Sequence, residues 1–407
     1  MNDTPTGSTP VQRQGPPAPP PVDISAAKKR FQEVLHVLAT PGVSDIHFEG
    51  SRVAWPVVFG NPHPSNIAIT NGDIYAWAEV FGQSKGGGAA LLRGDTGTIE
   101  CMGVVEIHGR KVRLRMTFRR QEQGLGLSLR IVPESPPRLT DAVFNDNPIP
   151  SALVTITLNS PAGLILFCGP TGSGKTTMNA ALLAEVNATQ SKHIYTVEDP
   201  IEFVHTSDKS LITQREIGQH ADTFPHALKT SLRSRPNIIL VGELLDLETV
   251  RVAIEAANKG HLVFATSHAS SAAEAVSSLV SQFPGGEQNQ VATALSQALR
   301  AIVVQRLVPM RNGHVVPARE LLISNVAIAS KIRDAQYSSL TQMLKLTDGM
   351  WTFEDDLATL WARDLITEAT ARQFCNDLDN LNAKLDYARK NKGQVAVQGN
   401  RGARRGE

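Results

Sequence analysis

Apolar residues change their spacing along this chain, and each spacing predicts a different kind of element. Phe31, Val34, Leu35 and Leu38 fall at i, i+3, i+4, i+7, which lines one face of a helix. Pro41-Gly42 then stops it. The period next shortens to two. Asp45-Ile46-His47-Phe48, Val57-Val58-Phe59 and Gly103-Val104-Val105-Glu106-Ile107 read as short strands. From Lys111 to Phe118 the alternation is strict, with Val112, Leu114 and Met116 on one face and Arg113, Arg115 and Thr117 on the other. His108-Gly109-Arg110 reads as a turn, Gly124-Leu125-Gly126 as another, and residues 127–132 as the return strand. Residues 23–135 therefore predict a small α+β domain, with Pro133-Glu134-Ser135-Pro136-Pro137 as the linker.

Over residues 136–335 the pattern changes again. The runs at 163–168 (GLILFC), 194–197 (IYTV), 238–241 (IILV) and 262–265 (LVFA) are apolar without alternation, as expected of strands covered on both faces. Helix-compatible stretches separate them, which predicts an α/β domain with a mostly parallel sheet. Residues 336–391 read as a helical C-terminal region. The Pro-rich residues 1–22 and the basic residues 392–407 bury too little apolar surface to order, and both read as disordered tails.

Composition narrows the class. The chain has 407 residues, 41% hydrophobic and 19% charged, enough for two or three packed domains. A net charge of +1 gives no global field toward nucleic acid or an acidic membrane. Cys101, Cys168 and Cys375 form no CxxC pair, so a tetracysteine zinc site is excluded and a reducing compartment is expected. Neither a signal segment nor an apolar run long enough to span a bilayer is present, which points to the cytoplasm.

The strongest chemical signal is Gly169-Pro170-Thr171-Gly172-Ser173-Gly174-Lys175-Thr176-Thr177, between a buried strand and a helical stretch. That context makes it a P-loop. Its glycines let backbone N–H groups turn toward phosphates, Lys175 brings positive charge to them, and Thr176 offers a hydroxyl to Mg²⁺. The strand 238–241 ends in Gly242-Glu243, an acid placed to stand beside that ion. Glu198-Asp199-Pro200 ends another strand. It could position an attacking water, though an isolated Glu-Asp-Pro is more readily a solvated acidic loop. Thr266-Ser267-His268 tips a third strand, where a polar end could sense a γ-phosphate or be structural. Arg113 and Arg115, with Arg130 nearby, could clamp phosphates or form a solvated face.

These blocks, in this order over about residues 25–370, resemble the secretion-ATPase superfamily that powers type II and type IV secretion and type IV pili. VEDPIEF at 197–203 is similar to its Asp box, and the stretch from Arg233 through Val276 to its Walker B and His boxes. Ser44-Asp45-Ile46-His47, Gln214-Arg215-Glu216-Ile217-Gly218, residues 299–307 and Gly349-Met350 match further segments. The short N-terminal domain and the absent zinc module resemble the pilus-retraction-like branch, which includes Dot/Icm-type and IncI-plasmid conjugation ATPases.

The resemblance implies a RecA-like ATPase domain binding ATP and Mg²⁺ through residues 169–177, with Thr176 and Glu243 at the metal. It implies that Glu198 polarises water, that His261 and His268 form the His box, and that Arg113, Arg115 and Arg130 reach phosphates. It further implies a hexameric ring docked on inner-membrane partners of a type IV secretion or conjugation machine, with pilus retraction as the alternative. A ring-shaped DNA translocase is a third reading. The chain offers no aromatic-rich basic groove of the kind single strands favour, so nucleic acid is not expected as a direct partner. Two positions depart from the family pattern: Asn237 stands where an Asp is usual, and Leu245 precedes Asp246 in place of an Arg.

Overall fold

A computed structural model describes residues 21–390, apart from Pro41, Phe59, Gly60, Pro133 and Glu134. The expected helix stop at Pro41, the start of the expected linker, and almost all of both tails lie outside the described residues. The chain divides into two compact units, Met1–Glu134 and Ser135–Glu407.

In the first unit, helix α1 (Ile24–Leu38) starts where the Asp23 side chain accepts from the N–H groups of Ser25 and Ala26. It buries Phe31, Val34, Leu35 and Leu38, the residues whose spacing predicts the helix. There follow β1 (Val43–Glu49), β2 (Arg52–Val53), β3 (Trp55–Val58), β4 (Asn61–Pro62), β5 (Ala68–Ile69), α2 (Asn71–Phe81), α3 (Gly87–Arg93), β6 (Thr98–Ile107), β7 (Arg110–Gln121) and β8 (Gly124–Val132). Six of the strands form an antiparallel sheet in the order β4-β3-β1-β8-β7-β6. Trp77 of α2 meets Phe31 and Phe48 edge-on, with ring centroids 5.0 and 5.4 Å apart, at the centre of this unit's core.

Gly124-Leu125-Gly126, expected as a turn, instead opens β8, with Gly126 paired to Arg119 and Glu49. The reason is tertiary. Asn71 accepts from the Leu125 N–H at 2.8 Å, and a Cβ at Gly124 would lie 2.3 Å from that same carbonyl oxygen. The glycine here takes a φ of 116° and also makes room for a neighbour.

The second unit contains α4 (Ser151–Asn159), β9 (Gly163–Cys168), α5 (Lys175–Thr189), β10 (His193–Glu198), β11 (Leu211–Glu216), α6 (Phe224–Arg233), β12 (Ile238–Val241), α7 (Leu247–Asn258), β13 (Leu262–Ser267), α8 (Ala272–Ser281), α9 (Gly285–Ala298), β14 (Leu299–Pro309) and β15 (Val315–Ile323). The seven strands run in the order β11-β10-β12-β13-β9-β14-β15. All neighbours are parallel except β14 and β15. The four apolar runs are buried throughout, as their lack of alternation requires. Helices α4 and α5 cover one face around Phe167 and Phe264, and α7, α8 and α9 cover the other. Because the central strands are parallel, their C-terminal ends share one edge.

The chain ends in α10 (Val326–Arg333), α11 (Ser339–Leu346), α12 (Phe353–Ala362), α13 (Glu368–Phe374) and α14 (Leu378–Lys390). The last three pack Phe353, Leu357, Leu381 and Leu385 against Val308, Val316 and Ala318 of the β14–β15 hairpin.

Candidate active site

The loop after β9 is shaped by glycine. Gly169, Gly172 and Gly174 have φ of 137°, 77° and 86°, a region that other residues enter only with strain. At Gly172 the need is conformational, since a Cβ there would meet nothing within 4 Å. At Gly169 it is also spatial: a Cβ would lie 2.1 Å from the backbone oxygen of Gln305 on neighbouring β14. Lys175 opens α5 and turns back over the loop, donating from Nζ to the carbonyls of Gly169 (2.6 Å) and Pro170 (3.0 Å). Burial lowers its pKa, opposed chiefly by the charge of Glu243. Ser173 Oγ is buried and has no protein partner. A half-buried ammonium, a helix N-terminus and inward-turned glycines form a donor set that fits a nucleotide phosphate chain.

The acids stand on the adjoining strand ends. Glu198 closes β10, is 6% exposed, and accepts from Thr196 Oγ1 (2.6 Å) and Gln214 Nε2 (3.2 Å). Gly242 follows β12 so closely that a Cβ would be 3.2 Å from the Glu198 Cα. Glu243 is next in the chain. Its Oε1 lies against His268 Nε2, and Thr266 donates to the Gly242 carbonyl. The sheet edge thus brings together the P-loop, Glu198, Glu243 and His268, with Thr176 in the first turn of α5. Glu243 and Thr176 could hold a Mg²⁺ ion. Among the described residues, no group of three or more His, Cys, Asp or Glu side chains forms a metal cage. A site in which phosphate oxygens complete the shell needs no such cage.

A family model described as type II/IV secretion system protein matches residues 102–348. The chain belongs to that family. It is 43% identical over 225 residues to a twitching motility protein of Neisseria gonorrhoeae. It is 44% identical over 217 residues to the type IV pilus retraction ATPase PilT of Pseudomonas aeruginosa. These matches cover 54% and 52% of this chain, and only 60% and 62% of the relatives' own lengths. The fold is similar to the crystal structure of the pilus retraction motor PilT with bound ADP (TM-score 0.75, 31% identity, 86% of this chain and 98% of that one). It also resembles the ATPase DotB of Legionella pneumophila (TM-score 0.72, 24% identity, 88% and 97% coverage), a likeness of fold.

Not every expected site residue of this secretion-family chain reaches the sheet edge. His261 precedes β13 and His268 follows it, so the two histidines sit at opposite ends of one strand. His261 Nδ1 bonds the Pro236 carbonyl at 2.7 Å, away from the P-loop. Asn237 is at that same far end, where its side chain accepts from the His193 N–H at 2.8 Å. Its departure from the usual Asp is therefore remote from Glu243. Leu245 is exposed, and Asp246 caps α7 by accepting from Thr249. Arg113, Arg115 and Arg130 lie in the first unit, on β7 and β8, with Arg115 and Arg130 directly paired. Arg130 is bound to Asp45 at 2.7 Å, while Arg113 Nη1 is buried without a partner.

Sequence reasoning missed the residues that support the P-loop from below. Gln305 donates to the Ser173 carbonyl at 2.6 Å and accepts from Arg319 Nε at 2.7 Å. The only sequence signal was the resemblance of residues 299–307 to a family segment. The β14–β15 pairing that places Arg319 there is not written in either strand alone.

Proposed function

We propose that this chain hydrolyses ATP as a subunit of a motor of the pilus-retraction kind. The observation that supports it best is the Lys175-capped P-loop on the same sheet edge as Glu198 and Glu243. Lys175 would exchange its two loop carbonyls for the terminal phosphates. Thr176 and Glu243 would hold Mg²⁺, which when bound neutralises phosphate charge. Glu198, immobilised by Thr196 and Gln214, would orient a water and accept its proton. His268 would hold Glu243 in place. Phosphate contacts by Arg113, Arg115 and Arg130 belong to the same proposal.

The relatives named for twitching motility and pilus retraction favour that machine over the secretion or conjugation machine expected from the sequence. Assembly as a hexameric ring, in the cytoplasm and docked on inner-membrane partners, completes the reading. Among the described residues no helix is long and apolar enough to cross a membrane, so the docking would be through other proteins.

The test is steady-state ATP hydrolysis of the full chain fractionated by size, beside Lys175→Ala. Activity should elute in a ring-sized fraction and fall at least about a hundredfold in the variant. Equal activity in both proteins, or none in any fraction, would sink the assignment.

A further inference from the structure

We infer that Gln305 is a positioning residue for the nucleotide loop, and that Arg319 holds it there and links the loop to the C-terminal helices. The inference rests on reading the loop as a phosphate cradle.

Gln305 and Arg319 face each other across β14 and β15, in direct register. The next pair on the same face of the hairpin, Val303 and Leu321, is apolar and buried. A buried amide and guanidinium in this setting are costly unless fully bonded. Gln305 is 3% exposed and Arg319 is 1% exposed. Burial pushes the Arg319 guanidinium down to about 10, against the pull of Asp356, so it stays charged at neutral pH. Its Nη2 still has no protein partner. Buried polar pairs of this kind often add little stability over apolar ones, which directs attention to what the pair positions.

The geometry supplies another reason. Gln305 Nε2 holds the Ser173 carbonyl at 2.6 Å. In a trans peptide the C=O and the following N–H point in opposite directions. Fixing the Ser173 oxygen toward β14 therefore aims the Gly174 N–H away from it, as a phosphate-binding loop requires. The packing is close: a Cβ at Gly174, whose φ is 86°, would lie 2.8 Å from Gln305 Nε2.

Arg319 extends the connection. Its Nη1 donates to the carbonyls of Asn147 and Pro148, both at 2.9 Å. Asp356 on α12 accepts from the Arg319 N–H (2.7 Å) and from Asn147 Nδ2 (2.9 Å). An unbroken set of bonds runs from the P-loop to the helical C-terminal region, all within the second unit.

Three full-length variants test this: Gln305→Glu, Gln305→Met and Arg319→Lys. Gln305→Glu keeps the acceptor for Arg319 and removes the donor to Ser173. It should melt within a few degrees of wild type without nucleotide, yet bind ADP about tenfold more weakly and raise the KM for ATP more than it lowers kcat. Gln305→Met should lose both melting temperature and affinity. Arg319→Lys, which keeps charge, should retain more affinity than Gln305→Met. A folded position-305 variant with wild-type ADP affinity and KM overturns the proposal. If no variant folds, hydrogen exchange on wild type decides. Residues 299–309 should be protected with and without ADP while residues 169–176 slow on adding it, and a segment 299–309 that becomes protected only with ADP overturns the idea. Wild type that fails to bind ADP, or Lys175→Ala that binds it equally, would instead refute the cradle reading.

Discussion

Glu198 and Glu243 end neighbouring strands, yet their surroundings differ. Glu198 is almost sealed, with a hydroxyl and an amide on its carboxylate. Glu243 meets His268, and its own side chain is 30% exposed. A group that must orient water benefits from the first setting, because its rotamer is fixed before substrate arrives. A group that meets a hydrated ion suits the second. Glu198→Gln keeps size and an acceptor for Thr196 but removes the proton-accepting charge. Turnover should fall about a hundredfold or more while ADP affinity stays within about twofold, read by single-turnover hydrolysis and equilibrium binding. Persistent turnover would move the base elsewhere. The P-loop residues were legible because glycine spacing is dictated by backbone conformation. The partners of Glu198 were not, because Gln214 reaches it from the next strand.

At the scale of elements, the start of α8 is tied to β15 by a buried acid. Glu320 accepts from the Ala272 N–H at 2.7 Å. Burial pushes its pKa up to about 7 from 4.5, opposed by the N–H groups of Ala272 and Phe353 and by Arg306, and reinforced by Glu354. The folded state therefore binds a proton that the unfolded chain has released between about pH 4.5 and 7. Stability from this group is present below that window and is lost as pH rises through it, by at most about 3 kcal/mol. Glu320→Gln should flatten this slope and melt higher than wild type at pH 8, with little difference at pH 5. Parallel melting curves at both pH values would show that Glu320 titrates normally. The acid itself was visible in the sequence. Its burial was not, since it depends on α8 and α12 closing over β15.

For the whole molecule, the proposed function is that of a subunit in a ring-shaped motor. If subunits in a ring depend on one another, Lys175→Ala protein mixed with wild type should depress ATPase activity more steeply than its share of the mixture. A strictly linear decline at constant total protein would mean independent sites. Strand-loop-helix context, acid-ended buried strands and several matching blocks made the α/β class and family readable, because each is a local pattern with its own physical cause.

The sequence by itself determined which segments could be core strands, where the backbone must take left-handed turns, and which loop has the glycine pattern of a phosphate cradle. These follow from side-chain periodicity and from glycine, which act over a few residues. The tertiary structure alone decided that Asn71 packs against Gly124, that Gln214 reaches Glu198 from the next strand, and that Gln305 and Arg319 brace the P-loop. Those outcomes depend on strand order and register, which in the case of Gln305 and Ser173 bring residues 132 positions apart within one hydrogen bond.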